Sequence, residues 1–161
     1  MTPVPTLVIP PLLVMALETT ILSERLKTSA MGNLALGRIH FDDKKYAEAL
    51  NLLNFSAQLD KTNTAPHVII SQVHRKQSRW NAALKAAQHA ISLNAEDSEG
   101  HYQLACTLAR MRRLKEAISA LEKSIELDRD QVEYAAVEED LKPLASLPAF
   151  KKLLPEPAPK P

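Results

Sequence analysis

The chain has 161 residues and carries 20 Lys and Arg against 19 Asp and Glu, for a net charge of +1. So even a balance excludes bulk electrostatic capture of nucleic acid or an anionic membrane as the main activity. A 45% hydrophobic and 24% charged composition excludes global disorder, and three glycines beside 22 alanines exclude an all-β fold or a glycine-rich phosphate loop.

In chain order, residues 1–10 are rich in proline and read as an extended segment. Thr6 to Leu17 is apolar, but Pro10 and Pro11 interrupt it, no basic residue precedes it, and Glu18, Glu24 and Arg25 follow. Neither a signal peptide nor a spanning helix is expected. Residues 11–29 read as an amphipathic helix, because Leu12, Met15, Ala16, Leu22 and Leu26 recur at helical spacing. It is expected to cover the first of the units that follow.

Ten of the 11 prolines lie at or before Pro11 or at or after Pro143, which leaves the middle free to be helical. The exception, Pro66, follows a polar run and sits where a first helical turn tolerates a missing amide. An offset of 34 residues superimposes three segments, 30–63, 64–97 and 98–131. Leu36, Ile70 and Leu104 coincide, and the small residues Gly37, Ser71 and Ala105 follow them. Tyr46, Trp80 and Leu114 then align, as do Ala49, Ala83 and Ala117, the small Ser56, Ala90 and Ser124, and finally Leu59, Leu93 and Leu127.

Each unit therefore reads as two antiparallel helices, with small residues where they cross so that the backbones approach closely. Such a hairpin cannot bury its apolar face alone, and stacking on a neighbour supplies the missing cover. Residues 132–154 are expected to close the stack. Val132 to Asp140 would form a helix that breaks near Pro143, and Pro148 to Leu154 a short last one. Residues 155–161 read as a polyproline-type tail.

The pattern resembles the tetratricopeptide repeat family, whose positions run, in order, Trp, Leu, Gly, Tyr, Ala, Phe, Ala and Pro within 34 residues. The opening Trp is replaced by Asn33, His67 and His101, and the closing Pro by Lys61, Ala95 and Arg129. The resemblance implies an all-α fold, a right-handed superhelical solenoid of helix-turn-helix hairpins whose concave side is lined by first helices. The run from Asp140 to Leu154 is similar to the closing element that follows bacterial arrays of this family.

No catalytic, metal or cofactor site is expected. His67 and His74 share a helix face and His101 is the repeat equivalent of His67, but these are core positions of the family and no carboxylate or second cysteine joins them at ligand spacing. Cys106 stands alone, so no disulfide forms within the chain. That suits a reducing, cytoplasmic setting, with export as the alternative. Arg110, one turn on, would lower the Cys106 thiol pKa if the side chains met. Glu138, Glu139 and Asp140 read as a solvated surface cluster.

The resemblance places ligand-facing positions at Met31, Leu34, Arg38 and Phe41, then Val68, Ile69, Gln72, Arg75 and Lys76, then Tyr102, Gln103, Cys106 and Arg110. This reads as an apolar groove with a basic border, suited to a partner peptide whose acidic groups meet Arg38, Arg75, Lys76 and Arg110, or else filled by the chain's own helix at Pro11 to Thr28. The family's clamp for acidic chaperone tails is not matched, since Leu34, Arg38, Ile69, Glu99 and Gln103 stand at its positions. Lys44, Lys45, Arg79, Arg112, Arg113 and Lys115 fall near the turns within hairpins. Asp60, Glu96, Asp97, Asp128 and Asp130 fall between hairpins, on the opposite edge. The expected function is a non-catalytic adaptor that binds a segment of another protein. The alternative is an assembly module that pairs with copies of itself or belongs to a longer protein with a catalytic domain.

Overall fold

A computed structural model describes residues 28–154, so the helix expected over 11–29 and the segments 1–10 and 155–161 lie essentially outside the described residues. The described residues contain eight α-helices, one 3-10 helix and no strand. Three hairpins come first: α1 (Ala30–Asp42) with α2 (Tyr46–Leu59), α3 (Ala65–Lys76) with α4 (Trp80–Leu93), and α5 (Ser98–Arg110) with α6 (Leu114–Leu127). Then come α7 (Gln131–Val137), the 3-10 helix Glu139–Leu144 and α8 (Pro148–Leu153). The first helices are entered through polar residues where a donor needs a partner: Ser29 Oγ accepts from Gly32 N at 2.9 Å, and Asp97 Oδ1 from Gly100 N at 3.2 Å. Pro66 occupies the first turn of α3, where no amide is required.

The turns inside the hairpins share a backbone device that composition does not reveal. Lys44, Ser78 and Arg112, each 34 residues apart, have φ of 61°, 57° and 62°. The left-handed conformation is thus met three times without glycine, at a steric cost of about 1 kcal/mol each.

Packing follows the small residues. Ala49, Ala83 and Ala117 are fully buried, and a Cβ placed on Gly37 would stand 2.8 Å from Leu53 Cγ. The hydroxyls at the far crossing bond back to the partner helix: Ser56 Oγ donates to Ala30 O at 2.7 Å and Ser124 Oγ to Ser98 O at 2.8 Å. Two apolar cores result. One joins Ala49 and Leu53 to Ile69, Ile70 and Val73. The other joins the third hairpin to Ala135, Leu141, Leu144 and Phe150.

The closing segment departs from expectation. The helix expected to run to Asp140 stops at Val137, because Glu138 is extended (φ −70°, ψ 119°) and its carboxylate accepts the Asp140 amide. The chain continues as a 3-10 helix through Pro143.

Candidate partner-binding groove

The first helices α1, α3 and α5 wall a groove of about 890 Å³, closed at its downstream end by α7 and the start of the 3-10 helix. Its floor is apolar: Phe41, Val68, Ile69 and Tyr102 line it, and Tyr134 and Val137 continue the apolar surface at the downstream wall. Val68, Ile69 and Tyr102 belong to the core and are only 6%, 6% and 5% exposed. Tyr134 and Val137, by contrast, are 61% and 79% exposed.

Behind this floor sits a charged cluster that ties the stack together. Arg75, only 6% exposed, donates from Nε and Nη2 to Asp140 Oδ2 at 2.9 and 2.6 Å, and its Nη2 lies 3.2 Å from Glu138 Oε1. Its Nη1 donates to Gln103 Oε1, and Gln103 in turn donates to Glu99 Oε1 at 2.7 Å. Burial alone would raise the Glu138 pKa, but Arg75 and the Asp140 amide more than offset it and hold that carboxyl below its ordinary value. The expected solvated cluster is therefore corrected. Glu138 and Asp140 turn inward because a buried guanidinium requires counter-charge, whereas Glu139 stays outside and pairs with Lys142 at 2.6 Å.

Of the thirteen positions expected to face a ligand, Arg38, Phe41, Val68, Ile69, Gln72, Arg75, Lys76, Tyr102 and Gln103 line the groove. Met31, Leu34, Cys106 and Arg110 do not. Met31 is 78% exposed elsewhere on α1, and Leu34 packs against the first core. Arg110 lies over the Trp80 ring at 5.1 Å. Cys106 is fully buried, and burial pushes its thiol pKa up rather than down, so neither contact with a partner nor thiolate chemistry is open to it.

The expected basic border is also corrected. Six lining residues are acidic and three are basic. Arg75 is spent on Glu138 and Asp140, and Arg38 pairs with Asp42 at 3.6 Å. Asp97, Glu99, Asp128 and Asp130 line the groove with no cationic partner among the described residues, against Lys76 on the opposite side. They cluster there because each lies at or near the start of a first-type helix, where anions suit the helix dipole. The spacing between hairpins marked three of them as an edge. That this edge overhangs the groove was not visible in the sequence, nor were Tyr134 and Val137, whose exposure depends on where α7 ends.

The histidines stand apart. His67 packs edge-on to His89 at 4.3 Å, and burial, with a smaller contribution from His89, lowers its pKa. Burial likewise lowers that of His74. His101 Nε2 contacts Ala95 O at 3.0 Å. Among the described residues, no group of three His, Cys, Asp or Glu side chains is arranged to hold a metal ion, and no helix is long and apolar enough to cross a membrane.

Stacked hairpins, a 34-residue register and a groove on the first helices define an α-solenoid of helical repeats. Residues 98–131 match the family "Tetratricopeptide repeat". No curated protein matches the chain in sequence. Among solved structures, the first TPR of Spaghetti (RPAP3) bound to HSP90 peptide SRMEEVD is 16% identical with a TM-score of 0.62, over 79% of this chain and 91% of that one. MamA is 22% identical with a TM-score of 0.64, over 84% and 81%. The Yersinia enterocolitica type III secretion translocator chaperone SycD is 14% identical with a TM-score of 0.63, over 77% and 90%.

Proposed function

We propose that the chain is a non-catalytic protein-interaction module and that its groove takes a segment of a partner protein with apolar anchors and Lys or Arg beside them. The observation that carries this reading is the pairing of an apolar floor with a rim of four carboxylates lacking counter-charge. Beside this floor, Tyr134 and Val137 form an exposed apolar patch of the kind that marks contact sites. The exposed Tyr134 and Val137 supply anchor contacts at one end, while Asp97, Glu99, Asp128 and Asp130 favour a cationic side chain. RPAP3 supports the use of the fold for peptide capture. Its ligand carries two consecutive glutamates and a terminal aspartate, and the rim here would repel such a sequence. An affinity near micromolar, about −8 kcal/mol, suits a groove of this size.

The test uses fluorescein-labelled peptides that share Leu and Phe anchors and differ only in carrying Lys, Ser or Glu between them. Fluorescence anisotropy should rank Lys above Ser above Glu. Added salt should shrink the Lys advantage, and a Tyr134→Asp, Val137→Asp double variant should weaken all three. Equal binding of the Lys and Glu peptides overturns the charge assignment. Binding of every peptide untouched by the double variant overturns the groove.

A further inference from the structure

The upstream face of the first hairpin is apolar, and no other described element covers it. Met31, Ala35 and Ile39 are spaced four apart and form one ridge along α1. Met31 is 78% exposed, Ile39 is 56% exposed, and Ala35 is exposed between them. The repeat register makes this informative. Ile69 and Val73, the equivalents of Ala35 and Ile39, are 6% and 0% exposed and share a core with Ala49, Leu50 and Leu53 of the preceding α2. One unit further on, Gln103 and Thr107 are 2% and 0% exposed, although both are polar. In both later units, then, this position is covered, and there a second-type helix stands upstream.

The sequence upstream of α1 carries the pattern of such a helix. Residues 13–26, LVMALETTILSERL, align with α2, YAEALNLLNFSAQL, with identities at Ala16 and Ala49, Leu17 and Leu50, Ser23 and Ser56, and Leu26 and Leu59. Against α6, Leu13, Ala16, Ser23 and Leu26 match Leu114, Ala117, Ser124 and Leu127. The matched alanines and serines of α2 and α6 are all fully buried at helix crossings. Three residues, 27–29, separate Leu26 from Ala30, the same number that separates Leu127 from Gln131. The linker therefore has a working precedent in this molecule.

We propose that residues 13–26 form the second helix of an incomplete leading repeat and pack on Met31, Ala35 and Ile39, closing the upstream end of the stack and leaving the groove free for its partner. A second copy could present an apolar face to the same ridge. The tethered segment has the advantage, because a short linker holds it at a millimolar effective concentration.

The test compares thiol labelling of Ile39→Cys and Phe55→Cys in the full chain, the native Cys106 being fully buried. Phe55 is 45% exposed on α2 and reports an open surface. A maleimide should label Ile39→Cys about tenfold more slowly than Phe55→Cys. Adding Leu17→Glu should bring the two rates together, and light scattering should report a monomer throughout. Equal rates in the parent, or protection that survives Leu17→Glu, overturn the proposal. Protection that fades on dilution together with a dimer's mass overturns it in favour of a second copy. Should Ile39→Cys not fold, hydrogen exchange on the unaltered chain decides instead: slow amides over residues 17–26 are expected, and exchange at free-peptide rates overturns the proposal.

Discussion

The first and third hairpins share one register and differ in which described residues cover them. At equivalent positions, Ile39 is 56% exposed in the first while Thr107 is 0% exposed in the third. An isoleucine lies open where a threonine is sealed, so burial here is set by place in the stack more than by side-chain polarity. The threonine is accommodated because its Oγ1 donates to Gln103 O at 2.8 Å, so no buried donor is left unpaired. The third hairpin is flanked on both sides, by the second hairpin upstream and by Leu141, Leu144 and Phe150 downstream. Stability should therefore concentrate at the downstream end.

The largest effect should come from the charge that locks that end. Replacing Arg75 by Leu leaves Glu138 without its salt-bridge partner and Asp140 with only Arg110, at 3.6 Å, and urea denaturation should show a loss of about 3–5 kcal/mol. Adding Glu138→Gln and Asp140→Asn to Arg75→Leu should recover most of it. If the single variant unfolds at the wild-type midpoint, the charged lock does not set the stability of the covered end. Next in size is Leu144→Ala. Leu144 is fully buried against the third hairpin, and the cavity should cost about 3 kcal/mol in the same measurement.

A smaller effect belongs to the first hairpin's own interior. A Cβ at Gly37 meets Leu53, itself fully buried, at 2.8–2.9 Å. Overpacking should outweigh the gain in helix propensity, leaving Gly37→Ala less stable by about 1 kcal/mol. A more stable Gly37→Ala would mean that Leu53 relaxes, and that the first hairpin is the softer of the two.

Much of this architecture was legible in the sequence because it rests on local periodicity. The 34-residue recurrence of Leu36, Ala49 and Leu59 needs no long-range information, and the helices fall where it places them. The site was legible by half. Val68, Ile69 and Tyr102 line the groove at positions the family resemblance assigns, but Arg75 looks in sequence like any cation on a first helix. Its partner Asp140 lies 65 residues away, on a segment whose path depends on an extended Glu138. Cys106 misled for a similar reason. Its register points toward the groove, and only the packing of neighbouring helices shows it sealed at 0% exposure.

The smallest effect is one of pH, and it separates the covered end from the middle of the stack. Glu138 has a folded pKa held below its ordinary value of 4.5, so its contribution is fully present above 4.5 and is lost as pH falls through the lower, folded value. His67 and His74 also have lowered values, but the ordinary point is 6.5, so their neutral burial starts to oppose folding as pH drops below 6.5. Two windows follow. Between about pH 6.5 and 5, acid destabilisation should be relieved by His67→Gln and unaffected by Glu138→Gln. Below 4.5, the stability gap between the wild type and Glu138→Gln should narrow, by a fraction of a kcal/mol once solvent screening is counted. Urea midpoints at a series of pH values read both. A gap that widens on acidification would mean that Glu138 is held neutral by burial, and that Asp140 alone balances Arg75.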